Sequence, residues 1–176
     1  VKRGGDLEGI QLWLNLPAKY KMMTPNYQHL EDEQIPKIFS EDKKVQLNVI
    51  AGTQNDESGL IQTQTAVNVF TANADENGKL EIEIPENHQS LIYLLDGEIL
   101  VNDVEVLKKG ENQMITFNQN GDMIKFKAKK KSTLLILSGE PIREKISQYG
   151  PYVMNTQTEI MEAMRDYQKG KMGHLY

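Results

Sequence analysis

The sequence has no cysteine, so neither a disulfide framework nor thiol chemistry is available to it. It also has no apolar run of membrane-spanning length and no recognisable signal peptide. Its 25 acidic and 20 basic residues give a mildly acidic chain, whereas binding to a nucleic-acid backbone needs a concentrated basic face. We therefore expect a cytoplasmic protein that binds neither a membrane nor nucleic acid directly.

Histidine is scarce, and the familiar catalytic motifs are missing. The three histidines are His29, His88 and His174, and we expect His29 and His174 to be surface residues. The sequence contains no Gly-x-Ser-x-Gly elbow, no glycine-rich phosphate loop and no His-Glu-x-x-His motif. We therefore assign no catalytic and no cofactor-binding residue.

The middle of the chain is a series of short β-strand patterns with turn signals between them. The predicted strands cover residues 45–51, 66–72, 80–84, 91–95, 98–101, 104–107, 113–117, 123–128 and 132–137. The dipeptides Asn77-Gly78 and Asp96-Gly97 are typical of tight hairpins, and Asp96-Gly97 predicts that residues 98–101 pair back on the preceding strand. Eight or nine short strands with no helix between them predict an antiparallel barrel or sandwich.

Each end of the chain carries one further element. Residues 9–16 alternate apolar and polar side chains, which predicts a β-strand that stops at Pro17. Near the other end, Thr156 and Glu159 form a capping-box pattern that predicts the start of a helix, which Gly170 closes. The residues that would share one face of this helix are Ile160, Met164 and Tyr167.

Motifs near both ends are specific enough to indicate a family. The N-terminal ones are residues 8–17 (EGIQLWLNLP), followed by Lys21-Met22 and residues 25–28 (PNYQ). The C-terminal ones are residues 138–144 (SGEPIRE) and 149–156 (YGPYVMNT). These stretches resemble the pirin family, whose members are bicupins with two β-barrels in one chain. The resemblance covers nearly the whole sequence.

The resemblance implies an all-β fold: a cupin-like antiparallel β-barrel or jelly roll with a C-terminal α-helix. Residues 1–16 would be the last strand of an N-terminal cupin that is otherwise absent, and residues 17–40 a connector. Residues 41–139 would form the C-terminal cupin barrel, and residues 140–176 a C-terminal extension and helix. Because the first residue is Val1 rather than Met, we expect the chain to be the C-terminal half of a longer protein.

The resemblance also directs attention to the positions of a metal site. The first barrel of a pirin holds a metal through three histidines and a glutamate. With Gly97 as the anchor, the corresponding slots in this chain are Glu83, Pro85 and Gln89, which are not a transition-metal ligand set. His88 is a minor candidate for a ligand; it is one residue from Gln89, so on an extended strand it would point to the opposite face. The simpler expectation is a turn histidine that makes a local hydrogen bond or faces solvent. We therefore expect no metal site here, and iron or another divalent transition metal in the intact protein.

Three functions stay open at this point. The first is the metal-free half of a pirin-like quercetin 2,3-dioxygenase, whose chemistry lies in the absent barrel. The second is a regulatory or protein-interaction module acting on transcription or metabolism. The third is a barrel that binds a small apolar ligand in its own cavity. As partners we expect the N-terminal cupin, or another copy that pairs or exchanges strands through residues 9–16, since an apolar edge strand rarely stays uncovered.

Overall fold

Fourteen short strands and one α-helix make up the protein, in a computed structural model that describes residue 4 and residues 8–172. The strands are Lys37–Phe39 (β1), Val45–Ala51 (β2), Thr53–Gln54 (β3), Glu57–Ser58 (β4), Val67–Ala74 (β5), Lys79–Glu83 (β6), Gln89–Asp96 (β7), Glu98–Val101 (β8), Glu105–Lys108 (β9), Met114–Phe117 (β10), Met123–Ala128 (β11), Ser132–Gly139 (β12), Ser147–Tyr149 (β13) and Tyr152–Met154 (β14). The helix is Gln157–Gln168 (α1), and single 3₁₀ turns cover Ala18–Tyr20 and Asp32–Gln34.

The chain forms two compact units. Residues Pro25–Pro141 form one unit, and the described residues before and after that range form the other. The larger unit contains β1 to β12, and the smaller one contains the β13–β14 hairpin and helix α1.

Two antiparallel sheets build the larger unit. One has six strands in the order β1-β2-β5-β12-β7-β10, and the other has four in the order β6-β11-β8-β9. All of their strand pairs are antiparallel. The predicted antiparallel all-β fold with a C-terminal helix is therefore confirmed.

The core of the larger unit follows from the alternation of side chains along its strands. In β2, Val45, Leu47 and Val49 are completely buried, and the completely buried residues of other strands include Phe70 and Ile92. Full burial of an aliphatic or phenylalanine side chain contributes about 1.5–3 kcal/mol. Residues of this kind from both sheets form a single hydrophobic cluster.

The two dipeptides predicted to form hairpins do not join paired strands. Asp96-Gly97 separates β7 of the six-stranded sheet from β8 of the four-stranded sheet, and β8 pairs with β11 and β9 instead. Asn77-Gly78 likewise connects β5 to β6 in the other sheet. Both prediction errors have one cause. A residue with positive φ, such as Gly97 at +94°, permits a sharp reversal but does not determine which strand the chain meets next.

Two hairpins that the sequence analysis missed do use paired residues of positive φ. Asn55 and Asp56 (φ +47° and +65°) connect β3 to β4. Asn102 and Asp103 (φ +49° and +57°) begin the turn between β8 and β9. Asparagine and aspartate tolerate this left-handed conformation, which suits the twist of a tight hairpin.

The predicted strand over residues 9–16 is not formed. Within the described part of the chain these residues pair with no strand, and their apolar side chains are largely exposed: Ile10 49%, Leu12 46%, Trp13 73% and Leu14 57%. An alternating pattern can produce a strand only where a neighbouring backbone accepts its hydrogen bonds. The described part of the chain offers residues 9–16 no such neighbour, so the alternation alone does not produce a strand.

The predicted helix start is confirmed. The backbone N–H of Glu159 donates to Thr156 Oγ1 at 3.2 Å, and the N–H of Thr156 donates to Glu159 Oε2 at 2.8 Å, which is a capping box. Gly170 follows the helix end with φ +70°. The buried face differs from the prediction. Ile160 is buried while Tyr167, in the last turn, is 64% exposed.

Across the described residues, no helix is both long enough and apolar enough to span a membrane.

Candidate functional site

The three ligand slots inferred from the resemblance lie on the outer face of the barrel. Glu83, Pro85 and Gln89 are all exposed, whereas Ile82 and Ile84 are buried in the core. A metal inside a barrel needs ligands on inward-facing positions, and a shift of one residue along a strand reverses the face. The inward positions are therefore those of Ile82, Ile84 and, after the turn, His88.

The ring of His88 does not face solvent, and its hydrogen bond is to a residue distant in the sequence. The expectation of a turn histidine with a local hydrogen bond or a solvent-facing ring is therefore wrong. The residue is 6% exposed, and its Nδ1 lies 3.1 Å from Ser138 Oγ on β12. Only its backbone makes the turn contact, because the N–H donates to Pro85 O at 2.8 Å. The sequence correctly placed His88 on the face opposite Gln89 but gave no sign of a partner fifty positions away.

A short hydrogen-bond network fixes the imidazole ring of His88. Asn68 on β5 donates from Nδ2 to Ser138 Oγ at 3.0 Å, and its Oδ1 accepts from the N–H of Thr53 at 3.3 Å. Asn68 and Ser138 are both buried. Burial lowers the pKa of His88 below its ordinary value of 6.5, and the negative charge of Glu140 opposes this only in part. The ring is therefore neutral at pH 7.

The inward residues at this end of the barrel do not fit the metal that the family resemblance implies. Ile82 and Ile84 offer no donor atom, and the bond between Nδ1 of His88 and Ser138 leaves this end of the barrel with one histidine nitrogen, Nε2, which is not a ligand set by itself. Among the residues that the structure describes, no group of three or more His, Cys, Asp or Glu side chains could hold an ion. A transition metal needs several nitrogen, oxygen or sulfur donors that converge on one point.

The remaining histidines lie away from this end of the barrel or outside the described residues. His29 is exposed, its Nε2 lies 2.9 Å from Glu31 Oε1, and its ring stacks on Tyr27 with centroids 6.5 Å apart. The expectation that His29 is a surface residue is confirmed. His174 lies outside the described residues.

A cavity of about 260 Å³ opens beside His88, where β6, β7, β10 and β11 begin or end. Its polar lining includes Ser90, Thr116, Asn118 and Asn120 together with His88. Of these residues, only His88 was a candidate from the sequence. Serine, threonine and asparagine are common in loops and strand ends for reasons of turn chemistry, so their convergence becomes visible only in the folded chain.

Comparison with known proteins agrees with this architecture. Residues 69–173 match the Pirin C-terminal cupin domain. The solved structure of quercetin 2,3-dioxygenase from Acinetobacter baumannii superimposes with a TM-score of 0.86 at 35% identity, over 93% of this chain and 56% of that one. The molecule is thus a cupin.

Its sequence relatives define the family more closely. Pirin of Rattus norvegicus is 34% identical over 94% of this chain and 57% of its own length. A Pseudomonas aeruginosa protein, whose name gives quercetin 2,3-dioxygenase as a provisional activity, is 34% identical over 96% of this chain and 58% of its own. The chain belongs to the pirin family. It spans somewhat more than half the length of these relatives.

Proposed function

We propose that this chain is the metal-free C-terminal cupin domain of a pirin-like bicupin. The observation that carries the proposal is the donor set at the end of the barrel. The two inward positions of β6 and its extension hold Ile82 and Ile84, and only His88 follows them. Aliphatic side chains in these places contribute core packing rather than metal ligation.

The chemistry of the intact protein would then belong to a second barrel. We propose that the complete protein is an oxidoreductase of the quercetin 2,3-dioxygenase type that depends on iron or another divalent transition metal. Support comes from the Acinetobacter baumannii structure, which carries that enzyme name and of which this chain covers 56%. On this proposal the present domain contributes stability and surface to the enzyme, and no reacting atom.

Metal analysis of the 176-residue chain tests the first part. The protein is purified without chelator, incubated separately with Fe²⁺, Ni²⁺ and Mn²⁺, desalted, and measured by elemental mass spectrometry. We expect far less than one equivalent of each metal. A stoichiometric metal that is lost in the His88→Ala variant would overturn the proposal. The His29→Ala variant is the matched control, because His29 is an exposed histidine beside a carboxylate.

Turnover measurements test the second part. Oxygen uptake and loss of the quercetin absorbance band are followed with the 176-residue chain and with a chain that includes a second cupin barrel. We expect activity only in the longer protein, and only with its metal. Oxygen-dependent loss of quercetin catalysed by the 176-residue chain would contradict the assignment of the chemistry to the other barrel.

One observation favours an interaction role as a second proposal. The apolar side chains at residues 10, 12, 13 and 14 are exposed, and the segment pairs with no strand of the described chain. We propose that residues 9–16 pair with the sheet of another cupin barrel, from an N-terminal domain or a second copy. Trp13 is the sole tryptophan, so its fluorescence reports on this segment alone. A blue-shifted emission that moves to the red on dilution is expected, and a monomer with solvent-like emission at all concentrations would refute the pairing.

A further inference from the structure

The cavity beside His88 has the dimensions of a small-molecule site. Its volume of about 260 Å³ exceeds the roughly 150 Å³ that suffices to bind benzene in an engineered apolar cavity. It lies just below the range of about 300–1,000 Å³ that is usual for drug-sized ligands. A single substituted ring, or a molecule of similar size, therefore fits.

The proton on His88 can be located from the hydrogen bonds around it. A backbone N–H can only donate, so the contact from Thr53 N to Asn68 Oδ1 fixes the orientation of that amide. Asn68 Nδ2 must then donate to Ser138 Oγ. The hydroxyl of Ser138 then has its own proton to give, and we take Nδ1 of His88, 3.1 Å away, as the acceptor of that proton. With this assignment the ring proton of neutral His88 lies on Nε2.

This Nε2–H is a donor without a partner among the described residues, on a ring whose residue is only 6% exposed. The atom itself is not fully buried, because the fully buried, unpartnered side-chain atoms of the described residues are Ser147 Oγ and Asn155 Oδ1, so Nε2 is open to solvent or to a ligand. Nδ1 faces Ser138, so Nε2, on the opposite edge of the ring, is the atom available to the cavity that His88 lines. A group that accepts a hydrogen bond is the natural occupant of that place.

The rest of the lining determines what kind of molecule would carry the acceptor. None of the residues that line the cavity has a formally charged side chain when His88 is neutral. The lining combines amides and hydroxyls with the apolar side chains of Ile84, Phe117 and Met123. Enclosing a charged ligand here would leave its charge without a counter-ion, which is unfavourable, whereas a neutral polar group can be satisfied by the amides.

We propose that this cavity binds a small neutral molecule with an apolar ring and a carbonyl or hydroxyl oxygen, which accepts a hydrogen bond from His88 Nε2. This differs from the purely apolar ligand that the sequence analysis left open. It is also independent of the proposed function, because it involves neither a metal nor a second barrel.

Nitrogen-15 NMR of the 176-residue protein tests the proposal with four single-ring probes. Benzamide is neutral and carries a carbonyl acceptor, benzoate and benzylamine are its charged counterparts, and toluene has no acceptor. We expect benzamide to shift the His88 Nε2–H and the backbone amides of Asn118 and Asn120 saturably. Benzoate, benzylamine and toluene should each bind at least about tenfold more weakly than benzamide. The first two carry a charge that the cavity does not compensate, and toluene cannot accept the hydrogen bond.

Two variants separate loss of binding from loss of folding. His88→Phe keeps a ring but removes the donor, with His29→Phe as the matched control at an exposed site. Gly121→Phe is designed to fill the cavity from its edge, where an added Cβ at Gly121 meets open space, so the fold should tolerate it. We expect His88→Phe to weaken benzamide binding at least about tenfold and Gly121→Phe to abolish it.

The proposal is overturned if none of the four probes gives saturable shifts below a concentration of about 10 millimolar, which is roughly the weakest affinity that such a titration resolves. It is overturned equally if benzoate or benzylamine binds as well as benzamide, or if Gly121→Phe leaves the benzamide shifts at His88 unchanged. In the free protein, ring-nitrogen shifts that place the proton on Nδ1 would remove its basis.

Discussion

Gly97 packs directly against Ser132. A Cβ atom added at Gly97 would overlap Ser132 Oγ and the carbonyl oxygen of Lys131, and the backbone of Gly97 has φ +94°. Ser132 is in turn bonded to the connection that follows Gly97, because its Oγ accepts from the N–H of Glu98 at 3.1 Å. The crossing between the two sheets is thus held by a contact that only glycine permits.

The first prediction concerns this contact. Gly97→Ala should lower the free energy of unfolding by about 2–5 kcal/mol, from the left-handed backbone and the overlap together. Urea unfolding followed by circular dichroism measures it. Gly110→Ala is the matched control, because Gly110 also has positive φ (+81°) but an added Cβ meets nothing within 4 Å. We expect that control to lose only about 1 kcal/mol, and equal losses would show that the packing contact is unimportant.

The second prediction concerns the core. Phe70→Ala should destabilise the protein by about 3–5 kcal/mol, because it leaves a cavity among completely buried side chains. Phe39→Ala makes the same change at a residue that is 55% exposed and should cost much less. Chemical unfolding of both variants gives the comparison. Similar losses for the two would contradict the described core.

The third prediction concerns pH. The pKa of His88 is lower in the folded protein than in the unfolded chain, so the unfolded state binds more protons between the two values. Stability from this residue is therefore complete above about pH 6.5 and falls as the pH drops from there towards the folded pKa. Unfolding measured across this range should show a smaller pH dependence in His88→Gln than in the wild type. An unchanged slope would show that His88 is not the cause.

The fourth prediction concerns the helix cap. Thr156→Ala should cost about 1 kcal/mol of helix stability, since the N–H of Glu159 loses its acceptor. Hydrogen exchange of the amides in α1 should quicken accordingly. Thr158→Ala, at an exposed position inside the same helix, should not quicken it, because alanine has the higher helix propensity. Equal exchange in the two variants would count against the capping box.

Sequence patterns predicted the positions of the strands better than they predicted which strands pair with each other. The bounds of β2 and β11 agree with the prediction, because side-chain alternation and turn residues are local signals. The strand partner after Gly97 was predicted wrongly, because the choice between sheets depends on residues far along the chain. Residues 9–16 show the same limit: alternation can be read locally, but a strand also requires a second backbone.

The candidate site was predictable only in part. The position of His88 on the face opposite Gln89 followed from the two-residue period of a strand. The assignment of the ligand slots depended on one glycine anchor and placed Glu83 and Pro85 on the wrong side of the barrel for an internal site. The bond from His88 to Ser138 joins residues fifty positions apart, and no local pattern encodes it.

The orientation of Asn68 has a consequence for the surface hairpin β3–β4. Three hydrogen bonds in series connect the amide of Thr53 to the imidazole of His88, through Asn68 and Ser138. If the ring gains a proton on Nδ1, Ser138 can no longer donate to it and its hydroxyl must rotate. The backbone amide of Thr53, an exposed residue, is therefore joined through two buried side chains to the imidazole ring of His88.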